Sequence, residues 1–342
     1  MRLFSVVLAA ALSLVLMAVD DGARAAEPTL ATVKKRGQLI CGINGQLPGF
    51  STKDAQGNWT GLEIEFCRAV AAAVLGNDDK VKFVPLTTLN RFDALRSGEI
   101  DILARNSTAT LIRTARTGVR DAAIIYIDGQ VVVVPKKNGA AKLAELAGKQ
   151  ICTLKGTPYE QSALDWFGGR NLTIKVVLYD TQTALFDAFF KDQCAGLVQD
   201  ISALASTIIS SGRASDYLVL PELLATDPLA AYVRAGDDEW YDVVRWVHFA
   251  QLHGEELGVT KANAAAERTS SNPAVRRLLG VENGSGKLLG LDDAWAYNVL
   301  SQVGNYAESY DRNVGRNSPL KFSRGINALW TQGGAMYALP LR

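Results

Sequence analysis

At 342 residues, 48% hydrophobic and 21% charged, the chain has ordinary globular composition and enough length for two domains. Its formal net charge of +1 supplies no basic surplus to neutralise phosphates, which excludes a general nucleic-acid binder. The sequence has no acidic tail, low-complexity tract or fixed-period repeat.

Arg2 precedes an apolar run over residues 3–19, Asp20-Asp21-Gly22 breaks it, and Ala23-Arg24-Ala25 follows. That order of parts is a secretory signal peptide, with cleavage expected after Ala25. The run is near the lower length limit for an uncleaved membrane anchor, but the small-residue site favours cleavage. No other long apolar run follows, so a soluble, exported mature protein is expected. Four cysteines remain, Cys41, Cys67, Cys152 and Cys194, without the close spacing of a zinc site. An even count in an exported chain predicts disulfides, and three pairings are open.

Residues 38–43 predict a first strand. The loop 44–50 leaves its carboxyl end, where open α/β sheets bind ligands. Leu47 and Phe50 in that loop either cover a ligand or plug the lobe surface. Thr60-Gly-Leu-Glu63 has the pattern of a capping box and opens a helix to Leu75, with Phe66, Ala69, Val70 and Ala73 on its apolar stripe and Gly76 as its stop. A strand at 80–84, a short helix at 91–96 and a strand at 100–104 follow, so the pattern is a parallel sheet covered by helices.

The third of these strands delivers the run Ser107-Thr-Ala-Thr-Leu-Ile-Arg113. On extended backbone Thr108 and Thr110 point the same way. If a helix begins next, Arg113 lies on its first turn and can swing back over both hydroxyls. Two hydroxyls, backbone N–H groups and a guanidinium then converge on one small anion, and a carboxylate suits the guanidinium fork. The run reads as half of a clamp for an amino acid, although by itself it also fits a solvated loop with a surface arginine.

Tyr126-Ile-Asp-Gly-Gln130 reads as a break, and a hinge is placed there, before a strand at 131–134 and a helix at 140–147. After a strand at 150–154, Lys155-Gly-Thr-Pro-Tyr-Glu160 predicts a helix start, with Thr157 as cap, Pro158 as first helical residue and Glu160 closing a capping box. Gly156 lets a ligand approach the backbone, and the helix start attracts anions. A strand at 173–178 and a helix at 183–190 lead to the strand 194–200. This strand ends in Asp200, which either accepts from an ammonium group or caps the helix 201–210. The run 217–233 carries the chain back across the hinge, so the second lobe is inserted into the first. A long helix over 240–256 turns Trp240, Val243, Val244 and Val247 inward. His248 and His253 are expected on or near its surface, and five apart they do not make a zinc pair. A tail helix is predicted at 293–306, packed on the first lobe. No nucleophile elbow, phosphate-binding glycine loop or paired catalytic carboxylate is present, and Glu63 and Glu65 suit the positive end of their helix. The residues therefore point to a binding protein with no catalytic residue, metal or cofactor.

The run Gly49-Phe-Ser, Asp54, Gly57-Asn-Trp-Thr-Gly-Leu-Glu-Ile-Glu-Phe-Cys-Arg-Ala-Val, with Thr108-Ala-Thr-Leu-Ile-Arg113 and Gly156-Thr157, resembles the polar amino-acid family of periplasmic substrate-binding proteins of ABC importers, and most of all the general L-amino-acid-binding proteins. The tail pattern Gly304-Asn-Tyr, Asn313, Gly315, Ser318-Pro-Leu-Lys, Asn327-Ala-Leu-Trp330 extends the resemblance over essentially the whole mature chain. It implies an α/β, two-lobed periplasmic-binding-protein fold (type II) with two hinge strands and a C-terminal extension on lobe 1. The expected division is 26–130 and 227–342 for lobe 1 and its extension, and 131–226 for lobe 2. It also implies that Arg113 holds an α-carboxylate with the backbone N–H groups of Thr110 and Thr157, that Asp200 and Thr108 hold the α-ammonium, and that Leu47 and Phe50 line or flank the ligand. The disulfides would be the local ones, Cys41–Cys67 and Cys152–Cys194. The implied partners are an L-amino acid and the membrane subunits of an ABC permease, with the protein a periplasmic monomer. Departures fall at Ala109, where close relatives carry Trp, at Thr114 and Ala195, where they favour Asp, and at Glu63 and Glu65, where they favour Asp. They leave side-chain specificity open; Ala109 enlarges the pocket and Arg105 adds charge beside it. Competing readings on the same scaffold are a dehydratase-like periplasmic enzyme and a sensor that docks on a membrane receptor.

Overall fold

The computed structural model describes residues 27–282 and 284–342, so the signal peptide read at 1–25 lies outside the described residues. Its main sheet runs in the order Val81–Pro85, Leu39–Ile43, Ile102–Thr108, Ala225–Arg234, Val119–Pro135, Gly196–Asp200, Gln150–Leu154, Lys175–Tyr179, with Tyr217–Val219 also paired to Val119–Pro135. Pairing is parallel at both ends, where helices connect successive strands, and antiparallel in the middle. The result is two α/β lobes joined by two crossing strands.

The expected break at 126–130 is not one. Val119–Pro135 is a single 17-residue strand. Its first part pairs with Ala225–Arg234, and its last part with Gly196–Asp200 and Tyr217–Val219. Gly129 keeps the strand going because it is extended and because a Cβ there would meet Leu223 at 2.9 Å and Ile201 at 3.2 Å. Its role is close packing rather than a turn. The two lobes therefore share one sheet, and the hinge is a pair of strands.

Helix Leu62–Leu75 buries ten of its residues against the lobe 1 strands, helix Asp238–Glu256 and helix Trp295–Gln302. Its start differs from the expected capping box. Gly61 occupies the cap, and the Glu63 carboxylate instead accepts from the Asn106 backbone N–H and from Ser51 Oγ. Burial pushes the Glu63 carboxyl up to about 7. Both local disulfides, Cys41–Cys67 and Cys152–Cys194, are formed. With partners 26 and 42 positions apart, loop closure stabilises each lobe by roughly 3–4 kcal/mol. The helix expected at 140–147 shrinks to one 3-10 turn, Leu143–Leu146.

His248 is not at the surface. It is 4% exposed, edge-on to Phe66 and Tyr306, and burial lowers its pKa to about 4. The expected tail helix is two helices, Trp295–Gln302 and Tyr306–Asn313, because Gly304 adopts φ +101° and Asn305 starts a new capping box with Glu308. Beyond them the extension grips the hinge. Ile127 pairs in register with Pro228, which has no N–H to donate. The Asn327 side-chain amide instead accepts from Ile127 N at 2.7 Å and donates to Ile127 O at 2.9 Å, and Tyr306 Oη donates to Ile125 O. Asn327→Ala is expected to lower stability by about 1–3 kcal/mol by orphaning both groups. Urea unfolding measures this, and a change within the error of the method would show that water or a neighbour replaces the amide.

Candidate ligand-binding site

Two segments of lobe 1 and one of lobe 2 build the crevice. In strand Ile102–Thr108, Ala104 and Ser107 lie opposite the adjacent residues Ala231 and Ala230, so Arg105 and Asn106 bulge out of the ladder. Asn106 has φ +26° and accepts through its side chain from Asn44 Nδ2 at 3.0 Å. A bulge re-aims side chains, and here it sends Arg105 into the crevice. The chain then turns at Thr110, extended at φ −141°, whose hydroxyl accepts from Arg113 N at 3.4 Å and caps the short helix Leu111–Arg116. The helix leaves Leu111 83% and Ile112 70% exposed and turns Arg113 inward.

The Arg113 guanidinium donates to Thr108 O at 2.7 Å and, across the crevice, to Gly156 O at 3.2 Å. Arg91 Nη2 donates to the same Gly156 oxygen at 3.1 Å. Both guanidiniums pack on the Phe92 ring, 5.0 Å and 5.3 Å from its centroid. Tyr232 Oη also donates to Thr108 O, which fixes that carbonyl. On lobe 2, Gly156 has φ +76°, and a Cβ there would stand 3.3 Å from Leu89 and from Thr88 O. Glycine suits this close approach at positive φ, and the Arg91 and Arg113 bonds to Gly156 O join the lobes together with the bond from Ser206 Oγ to Pro48 O.

Thr157 does not cap its helix as expected. Its hydroxyl donates back to Leu154 O at 2.6 Å, Pro158 takes the cap position, and helix Tyr159–Gly168 starts one residue later than predicted. Asp200 occupies the cap position of helix Ile201–Ser210, but its side chain does not cap. Asp128 of the hinge strand does so, accepting from Ser202 N at 3.2 Å and from Gly129 N at 2.8 Å. Asp200, 0% exposed, faces Tyr159 and Asp227 instead of its own helix, and Asp227 is likewise 0% exposed. Register explains the grouping. Gln130 pairs with Asp200 and Asp128 with Asp227, so alternation puts all three acids on one face. Burial, then the charge of Asp227, raises the Asp200 carboxyl well above its usual range, and burial raises Asp128.

The crevice is lined by three buried arginines, Arg91, Arg105 and Arg113, while the three buried acids line neither of its two spaces. Its inner end, lined by Thr108, Arg113, Thr157, Tyr159 and Gln199 among others, is nearly filled at about 10 Å³, and an outer part beside Arg105 and Gln182 holds about 290 Å³. Leu47 and Phe50 do not line either space. They are 0% and 1% exposed in the lobe 1 core, Phe50 edge-on to Tyr126. Of the expected clamp, Thr108, Arg113 and Thr157 meet at the inner end, while Asp200 stands beside Tyr159 with Asp227. Sequence reading did not find Arg91, Tyr159, Gln199 or Asp227. Arg91 read as an ordinary helix start, and only strand register brings Asp227 to Asp200.

Two lobes, a paired-strand hinge and a crevice between the lobes lined by buried arginines define a two-lobed solute-binding protein. Residues 39–267 match the bacterial extracellular solute-binding proteins, family 3, and the chain belongs to that family. It is 41% identical to the general L-amino acid-binding periplasmic protein of Rhizobium johnstonii, over 98% of both chains. It is 43% identical to the glutamate/glutamine/aspartate/asparagine-binding protein of Rhodobacter capsulatus, over 96% of this chain and 98% of that one. A solved ABC transporter periplasmic binding protein from Brucella ovis with glutathione bound superposes with a TM-score of 0.88 at 39% identity, covering 92% of this chain and 100% of that one. Among the described residues no helix is long and apolar enough to cross a membrane, and no group of His, Cys, Asp and Glu is arranged to hold a metal.

Proposed function

We propose that the chain is an exported, monomeric receptor that captures L-amino acids in the periplasm and hands them to the membrane subunits of an ABC-type importer, after cleavage behind Ala25. The observation that supports this reading is that charged groups of both signs are buried between the lobes: Arg113 of lobe 1, whose guanidinium reaches across to Gly156 O, and Asp200 at the end of a lobe 2 strand, 0% exposed. A zwitterion matches that pattern, because it brings one charge of each sign to groups that burial has taken out of water. Arg113 takes the α-carboxylate with the N–H groups of Thr110 and Thr157, and Asp200 takes the α-ammonium with Thr108. Leu47 and Phe50 back the site from the lobe 1 core. The lobes divide at 130/131 and 226/227 along the two hinge strands. Closure is favoured because the ligand contacts both lobes only when they are together.

A thermal-shift screen of the twenty amino acids on refolded, ligand-free protein tests the reading. A rise in melting temperature with some of them and recovery of unchanged ligand are expected. The absence of any shift would overturn the receptor reading, and conversion of the ligand would favour an enzyme on the same scaffold.

A further inference from the structure

Glu63 is a buried acid that the ligand clamp described above does not use. It is 2% exposed and lines neither space of the crevice. Its side chain does not serve its own helix, whose cap position belongs to Gly61. Both oxygens are held by neutral donors, Oε1 by the Asn106 backbone N–H and Oε2 by Ser51 Oγ at 3.2 Å. Among the described residues it forms no ion pair, and Arg105 and Arg91 act on it only at longer range. An apolar side chain of the same length would be less costly to bury. What the carboxylate supplies is an acceptor for each of these two donors, and both donors belong to segments that wall the crevice.

The first donor sits in the strand bulge. Asn106 adopts φ +26°, which is uncommon for a residue other than glycine, and the bulge takes it out of the ladder that would otherwise hold it. Glu63 supplies that hold from the neighbouring helix. The second donor sits in the loop 44–51. Ser51 Oγ also accepts from Gly45 N at 3.3 Å, and Asn44 Nδ2 closes the circuit by donating to Asn106 Oδ1 at 3.0 Å. Asn44, Arg105 and Asn106 all line the inner end of the crevice. Two residues beyond Asn106 lies Thr108, whose carbonyl oxygen anchors the Arg113 guanidinium. A shift of the bulge therefore moves the group on which Arg113 rests.

We propose that Glu63 is a positioning residue for ligand binding: by tying the loop 44–51 to the strand bulge, it fixes the lobe 1 wall that aims Arg113 at the α-carboxylate, without touching the ligand itself. This inference rests on the amino-acid reading above and adds to it a residue outside the crevice. The working part of Glu63 is its acceptor for Asn106 N, which a carboxylate, a protonated carboxyl and a carboxamide all offer. In Glu63→Gln the amide oxygen takes Asn106 N, and the amide nitrogen donates to Ser51 Oγ, which can accept as well as donate. Glu63→Met has similar length and no such acceptor, so the Asn106 N–H is orphaned unless the bulge relaxes.

Calorimetry with alanine, leucine, glutamate and arginine on wild type, Glu63→Gln and Glu63→Met tests this, together with amide hydrogen exchange at Asn106 followed by nuclear magnetic resonance. Glu63→Met is expected to weaken every amino acid that wild type binds by on the order of 10–100-fold, with fast exchange at Asn106. The factors should be similar, since the α-carboxylate is common to all four. Glu63→Gln is expected to restore slow exchange and bring affinity to within about fivefold of wild type. Circular dichroism checks that each variant is folded. Wild-type affinity in folded Glu63→Met overturns the proposal, and so does weakened binding with exchange at Asn106 unchanged. A Glu63→Gln variant that loses as much as Glu63→Met also overturns it, because charge rather than the acceptor then matters. Fast exchange at Asn106 in wild type overturns it without any variant, and this measurement stands even if Glu63→Met does not fold. All of these outcomes leave the receptor reading intact, whereas binding of none of the four amino acids by wild type overturns both.

Discussion

Arg113→Ala is expected to weaken binding of every amino acid by on the order of 10²–10³-fold, about 3–4 kcal/mol, the range for truncating one partner of a buried, hydrogen-bonded charge pair. The guanidinium is aimed by its own surroundings. Thr110 starts the helix that turns it inward, Thr108 O and Gly156 O take two of its donors, and the Phe92 ring lies against it. Removing it abolishes the fork for the carboxylate and one of the contacts that close the lobes. Arg113→Lys should recover part of the loss, because a point charge remains without the planar fork. Calorimetry over several amino acids measures the effect. A loss confined to one ligand would mean that Arg113 contacts a side chain rather than the group that all amino acids share.

Asp200→Asn separates stability from binding. Asp200 and Asp227 are both fully buried side by side, and Asp128 is on the same face. The folded-state pKa of Asp200 and Asp128 is raised, so between the unfolded value near 4 and the raised value the folded protein holds more protons than the unfolded chain. Stability therefore falls as pH rises through that window. His248, whose folded pKa is about 4, acts in the opposite sense, but only below about 6.5, where the unfolded chain takes up a proton. Above pH 6.5 the carboxylates dominate this balance, and ligand-free protein should lose stability from pH 6.5 to 8. Asp200→Asn should flatten that slope and gain about 1–2 kcal/mol at pH 8 by removing a like charge, while weakening amino-acid binding by about 2–4 kcal/mol through the lost partner of the ammonium. Urea unfolding across pH, with calorimetry at pH 7.5, gives both numbers. A variant that loses stability at pH 8 would show that Asp200 is favourably paired without ligand.

The order of strands and helices was legible because local signals and tertiary need agree along most of the chain. Gly76 ends its helix in the left-handed region, and Asp200 closes its strand as expected. Errors fell where a residue answers to something distant. Glu63 looked like one half of a capping box but serves Asn106, 43 positions away. The stretch Tyr126-Ile-Asp-Gly-Gln130 read as a break, but Ala225–Asp227 continues the ladder beside it. His248 looked solvated on helical spacing alone, yet the C-terminal extension brings Tyr306 over it.

By itself the sequence determined the alternation of strands and helices, the even set of cysteines and the Thr108–Arg113 run, since each depends on neighbours within a few residues. Tertiary structure decided which charges stay unanswered. Arg91 and Arg113 reach Gly156 only because the lobes close, across 65 and 43 residues. Asp200 faces Tyr159 and Asp227 rather than its own helix, whose Ser202 N–H goes to Asp128 in another strand. Whether a charge is compensated depends on the groups that folding brings within a few ångströms of it, and local sequence does not encode that distance.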